Sequence, residues 1–175
     1  MKAVSTGTLA GAGSFSCAAC GYAVALQEQD EMPSCPSCGG STFERSSMFG
    51  TTLPHTAPSP RTGHPDWLEE ARRSLESAGD YLAYDAGDRA VAMQLKEGWT
   101  RVGRSLTADV RLDDPTVSRR HALVYREREG AKVLDDRILN GLFLNGKRVE
   151  LSPVNDGDTL GVGRFTIHFL TKEGS

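Results

Sequence analysis

The segment Val102-Gly103-Arg104-Ser105-Leu106-Thr107-Ala108-Asp109-Val110-Arg111-Leu112-Asp113-Asp114-Pro115-Thr116-Val117-Ser118-Arg119-Arg120-His121-Ala122 sets short apolar pairs between turn-forming residues. Val110 and Leu112 alternate with polar neighbours, and Ala122 and Val124 do the same just beyond. Alternation with a period of two is the mark of a strand with one buried face. Outward in both directions the pattern repeats. Tyr81-Leu82-Ala83-Tyr84 precedes the turn Asp85-Ala86-Gly87-Asp88, and Val91, Met93 and Leu95 alternate with Ala92 and Gln94. Phe143 to Val149 reads as a hairpin, because Asn145-Gly146 suits the positive backbone angles of a two-residue turn. Asn155 to Asp158 is another turn, after which Phe165, Ile167 and Phe169 point to one face. Many short strands separated by turns predict an all-β chain built around a β-sandwich.

Three residues in this region suit one kind of ligand. A phosphate dianion is held by a guanidinium fork and by hydroxyl or amide donors. Arg104 follows a glycine at a strand end and offers the fork from a loop. Ser118 follows the loop Pro115-Thr116-Val117, and its hydroxyl can donate to a phosphate oxygen. Asn140, before Gly141, carries both a donor and an acceptor and can pair with a ligand backbone.

The ordered set resembles the forkhead-associated (FHA) family. It consists of a Gly-Arg pair, an Asp-Val-x-Leu strand, Ser-x-x-His, the loop and hairpin from Leu139 to Gly146, and the turn and strand from Asp156 to Gly163. The resemblance covers roughly Tyr81 to Leu170. It implies a sandwich over residues 80–173 that binds phosphothreonine-containing segments. Arg104 and Ser118 would hold the phosphate, Arg119 would assist them, and Asn140 would bind the flanking main chain. Gly103, His121, Gly141 and Asn145 would support the site, with His121 bracing the Ser118 loop. Leu139 and Leu142 stand where the family often has a small polar residue and a threonine.

All four cysteines fall in two pairs, Cys17-Ala18-Ala19-Cys20-Gly21 and Cys35-Pro36-Ser37-Cys38-Gly39. Two C-x-x-C turns supply a tetrahedral thiolate set, and in a reducing compartment that pattern favours metal over disulfides. Tyr22, Val24 and Leu26 alternate as a strand after the first turn. The module, residues 14–46, resembles a zinc ribbon in which Zn2+ is structural, bound by Cys17, Cys20, Cys35 and Cys38. A segment this small has too little apolar surface to fold alone. Iron in an electron-transfer site and a dithiol switch are the alternatives.

Residues 1–13 lack apolar periodicity and are expected to form a disordered tail. Residues 47–64, rich in proline, glycine, serine and threonine, read as a flexible linker. Pro65 opens a short helix with Asp66, Glu69 and Glu70 near its N-terminus, expected to end near Ala78 before Gly79. No apolar run reaches the ~20 residues needed to cross a bilayer, and a cytoplasmic location is expected. The formal net charge of -3 argues against a chain built to coat nucleic acid or membrane. The segment up to Ser46 carries only Lys2 and Arg45 against Glu28, Asp30, Glu31 and Glu44.

Taken together, the sequence predicts a non-enzymatic, phosphothreonine-dependent adaptor in Ser/Thr kinase signalling. Its partners would be phosphorylated kinases or their substrates. The alternative is a transcription or nucleic-acid-associated factor whose ribbon is regulated by a phosphopeptide-binding arm. Ser118 beside His121 lacks the further groups of a hydrolase. Thr6, Thr8, Thr51, Thr52, Thr56 and Thr62 give a route to intramolecular binding, in which a phosphorylated tail or linker folds back into the site.

Overall fold

The computed structural model describes residues 3–46, 66–87, 89–136 and 141–174. The N-terminal module is a four-stranded antiparallel sheet of β1 (Ala3–Ser5), β2 (Gly13–Cys17), β3 (Ala23–Leu26) and β4 (Thr42–Arg45), in the order β1-β4-β2-β3. Its core is small: Phe15, Tyr22, Val24, Leu26, Met32 and Phe43 are buried together with Cys17 and Cys35. Val24 and Leu26 form the buried face of β3, and Tyr22, just before the strand, is buried with them.

The expected disordered tail is corrected here. Ala3, Val4 and Ser5 pair with Glu44, Phe43 and Thr42 of β4. Gly7 N–H then donates to Met32 O at 2.8 Å, and Met32 N–H to Thr8 O at 3.0 Å. A three-residue edge strand is held by main-chain hydrogen bonds and needs no apolar period, which is why composition did not reveal it. The linker assigned to 47–64 lies outside the described residues, as do Thr51, Thr52, Thr56 and Thr62.

Helix α1 (Asp66–Ser74) begins with Asp66 and Glu69 in its first turn and ends with Arg72 and Arg73, in keeping with the helix dipole. It stops four residues short of the expected end at Ala78. The carbonyls of Leu75 and Glu76 accept hydrogen bonds from the Lys172 ammonium, where a longer helix would have used them internally. Leu68 and Leu75 pack on Tyr81, Ala83 and Leu170, so the helix covers one outer sheet face.

The remaining strands form the sandwich. One sheet contains β7 (Gly98–Gly103), β8 (Val110–Arg111), β9 (Ala122–Glu127), β10 (Gly130–Asp135) and β13 (Leu151–Val154), in the order β13-β10-β9-β7-β8. The other contains β5 (Gly79–Asp85), β6 (Ala90–Gln94), β11 (Leu142–Leu144), β12 (Lys147–Val149), β14 (Thr159–Val162) and β15 (Phe165–Lys172), in the order β12-β11-β14-β15-β5-β6. All pairs in the sandwich are antiparallel except β7 with β8. Leu82, Val102, Val110, Leu112, Val124, Val133, Leu142, Leu160, Val162, Ile167 and Phe169 fill the space between the sheets. Burying such side chains contributes about 1.5–3 kcal/mol each. The result is a rigid frame whose loops meet at the end of β7. Among the described residues no helix is long and apolar enough to cross a membrane.

Candidate functional site

The site is assembled where β7 ends. Past Gly103 the main chain continues to pair with the Ser118 loop. Arg104 N–H donates to Ser118 O and Ser105 N–H to Arg119 O, both at 3.0 Å. Below this, His121 is fully buried. Its N–H donates to Val102 O at 2.9 Å, and its Nδ1 accepts the Ser118 N–H at 3.3 Å. Burial pushes the imidazole down to about 4, so at neutral pH it is uncharged and free to accept at Nδ1. His121 thus holds the main chain of the Ser118 loop from below.

A second brace was not read from the sequence. Asp114 Oδ1 accepts from Thr116 N–H at 2.9 Å and from Thr116 Oγ1 at 2.6 Å. Thr116 Oγ1 in turn accepts the Arg164 N–H at 2.9 Å, and the Arg164 guanidinium pairs with Asp114 at 2.7 Å. The local signal is Asp114-Pro115-Thr116, a side chain placed to bond its own backbone two residues on. The Ser118 loop is thereby fixed from both sides. Ser118 is half-buried, and its hydroxyl has no hydrogen-bond partner among the described residues. Arg119 is exposed, with no acidic partner among the described residues. Arg120 turns away and pairs with Asp136 through two nitrogens, at 2.8 and 2.9 Å.

Arg104 itself is only 8% exposed, and every nitrogen of its fork is engaged. Nε donates to Asp113 Oδ1 at 3.2 Å. Nη1 donates to Ala25 O at 3.3 Å, and Nη2 to the Asp30 carboxylate at 2.8 and 2.9 Å. Two of these partners belong to the cysteine module. One of the acidic residues of that module thus meets Arg104. No local pattern could have placed residues 30 and 104 together.

Asn140 lies outside the described residues. The neighbouring Gly141 is buried, at φ +79°. Asn145 occupies the two-residue turn between β11 and β12, at φ 50° with Gly146 at 78°. Its Nδ2 donates to Asp158 at 2.8 Å and its Oδ1 accepts the Thr159 N–H at 2.9 Å, so it ties the hairpin to β14.

The four cysteine sulfurs lie within 4.8 Å of one another. Cys17 and Cys38 are 3.7 Å apart, Cys20 and Cys35 3.5 Å, and no disulfide joins them. A tetrahedral site with Zn–S bonds near 2.3 Å has sulfur–sulfur edges of about 3.8 Å, so the set fits a four-thiolate ion. Desolvation pushes the Cys35 and Cys20 thiols up, while the Gly40 N–H donating to Cys38 Sγ draws that thiol down. A bound cation would favour the thiolate form of all four against this desolvation.

Comparison with known proteins gives the same division. The FHA domain family matches residues 100–163, and a zinc-ribbon containing domain family matches residues 1–47. The chain is similar to the glycogen accumulation regulator GarA of Mycolicibacterium smegmatis, with 30% identity over 131 residues, covering 74% of this chain and 83% of that one. It is 39% identical over 99 residues to the oxoglutarate dehydrogenase inhibitor of Corynebacterium glutamicum, covering 55% of this chain and 68% of the relative. Of other curated relatives it spans about half the length, 52%. Among solved structures, an FHA domain described for its phosphothreonine-dependent interactions aligns with TM-score 0.51 and 31% identity, over 53% of this chain and 96% of that domain. The chain belongs to the FHA-domain family, and it carries a zinc-ribbon domain ahead of the FHA sandwich.

Proposed function

We propose that the sandwich is a phosphothreonine reader and that the protein is a binding adaptor in Ser/Thr kinase signalling. The observation that carries this is the state of Arg104. Its buried guanidinium already grips an oxyanion, the Asp30 carboxylate, at 2.8 Å from a fixed loop. The loop whose main chain pairs with Arg104 and Ser105 carries the Ser118 hydroxyl and the exposed Arg119, which has no acidic partner among the described residues. That is the equipment for a phosphate dianion: one fork, one neutral donor and one exposed cation. Asn140 is assigned the main chain flanking the phosphothreonine.

The site supports binding and not a catalytic step. The His121 Nδ1 takes the Ser118 N–H, not its hydroxyl, so the imidazole does not activate a nucleophile. The relatives named above are a regulator and an inhibitor, in keeping with a protein that acts by docking. The cysteine set is assigned Zn2+, closed by four sulfurs and therefore structural, and reduced thiols suit the cytoplasm. The partners are assigned as phosphothreonine-bearing proteins, kinases or their substrates.

A pull-down from cell lysate tests the reading, with the full chain and Arg104→Ala as baits. Bound proteins should be lost after phosphatase treatment of the lysate and lost with the variant. The same proteins captured after phosphatase treatment would refute it.

A further inference from the structure

We infer that the zinc ribbon is a built-in competitor for the phosphate site, with the Asp30 carboxylate standing where a phosphate oxygen pair would bind Arg104. The inference rests on the phosphothreonine reading and adds its regulation.

The contact has the features of a specific docking. β3 is an edge strand of the ribbon sheet, and a strand edge carries main-chain groups in need of partners. At Ala25 both groups find them on the sandwich. Ala25 N–H donates to Pro115 O at 3.3 Å, and Ala25 O accepts from Arg104 Nη1 at 3.3 Å. The chain then turns at Gln27–Asp30, where the Gln27 N–H donates to Asp30 Oδ2 at 2.7 Å and the Asp30 N–H to Gln27 O at 3.2 Å. That turn aims the carboxylate before it meets Arg104, so little ordering is left to the contact itself. The side chains of Arg104 and Asp30 are 7% and 17% exposed, so the pair is shielded from screening by salt. The ribbon thus covers both Arg104 and the Pro115 end of the Ser118 loop.

The chemistry of the occupant makes this a competition and not a permanent seal. A carboxylate carries one charge, a phosphothreonine nearly two, with three acceptor oxygens. Arg119 has no acidic partner among the described residues, so an incoming phosphate can engage it as well as Arg104. The ribbon is part of the same chain, so it competes at high effective concentration, and a partner must displace it. Only peptides with enough additional contacts would do so, which makes the ribbon a threshold on partner choice.

The test uses full-length protein and a degenerate peptide pool centred on one phosphothreonine, titrated by fluorescence polarisation. Asp30→Asn keeps the shape of the turn and removes the charge. The apparent affinity of a site that is mostly covered is reduced by the covered fraction, so the variant should bind about fivefold tighter or more. Asp30→Glu should stay close to wild type. Metal content and circular dichroism establish that the ribbon remains folded in both variants. As a second readout, the Arg104 Nε–H resonance should shift on peptide addition to wild type and, without peptide, on Asp30→Asn. Equal affinity of wild type and Asp30→Asn, with an unmoved Arg104 resonance, overturns the competition and leaves the phosphothreonine reading intact. Failure of both proteins to bind the phosphorylated pool overturns the reading, and the competition with it.

Discussion

Gly103 lies directly beneath the Arg119 carbonyl: a Cβ on Gly103 would stand 2.4 Å from that oxygen and 3.1 Å from the Ser118 carbonyl. The glycine ahead of Arg104 is thus a spacing device between the Arg104 and Ser118 loops. Gly103→Ala would push the Ser118–Arg119 backbone off the end of β7 and break the two rungs that join them. Overpacking of this kind costs about 1–3 kcal/mol. Denaturant unfolding should report that loss, and phosphopeptide affinity should fall because Arg104 and Ser118 are no longer in register.

Thr116 is buried and serves two partners at once, Asp114 and the Arg164 main chain. Thr116→Val keeps the volume and removes the hydroxyl. It leaves a buried carboxylate and a main-chain N–H short of a hydrogen bond, at about 1–3 kcal/mol. Thermal denaturation should show the loss. A wild-type melting temperature for this variant would contradict the bracing role.

His121 gives a pH dependence whose sign is fixed. In the unfolded chain it takes a proton near 6.5; buried, it does so only near 4. Between those values the unfolded chain binds more protons, so this contribution to stability is complete above about 6.5 and is lost as pH falls towards 4. The gap corresponds to on the order of 3 kcal/mol. Unfolding free energy measured from pH 7 to 4 should fall more steeply in wild type than in His121→Asn. Phosphopeptide binding should weaken over the same range for a separate reason, loss of the second phosphate charge below about pH 6.

Metal removal should separate the two modules. The ribbon core of Phe15, Tyr22, Val24, Met32 and Phe43 is distinct from the core between the sandwich sheets. A strong chelator, or Cys17→Ser, should abolish protection of ribbon amides in hydrogen exchange and leave the sandwich protected. The as-purified chain should carry one zinc ion. Ribbon amides that stay protected after complete metal loss would show that the ion is not needed for folding.

The sandwich was legible because its information is local. Strand alternation around Val110, Val124 and Ile167 and the turn at Asn145-Gly146 each act within a few residues, and the observed strands follow them. The metal site was legible for the same reason, since each C-x-x-C turn is a local device. The edge strand at Ala3–Ser5 escaped notice because its order comes from pairing with β4, forty residues away in the chain. The early end of α1 depends on Lys172, which no helix rule contains. Asn145, expected as a supporting residue from motif order, bonds Asp158 and Thr159 and ties the hairpin to β14. The engagement of Arg104 by Ala25 and Asp30 was the least legible feature. It depends on how two separately folded modules meet, and the acidity of the ribbon is meaningful only once its partner is known.

The most direct measurement is a calorimetric titration of the full chain with a degenerate phosphothreonine peptide pool, its phosphoserine counterpart and its unphosphorylated counterpart. The phosphothreonine pool should bind tightest and the unphosphorylated pool not at all. Arg104→Ala, which removes a charge-assisted contact worth about 1.5–3 kcal/mol, should weaken the first by at least about tenfold. Equal heats from phosphorylated and unphosphorylated pools, or an affinity unchanged by Arg104→Ala, would contradict the account.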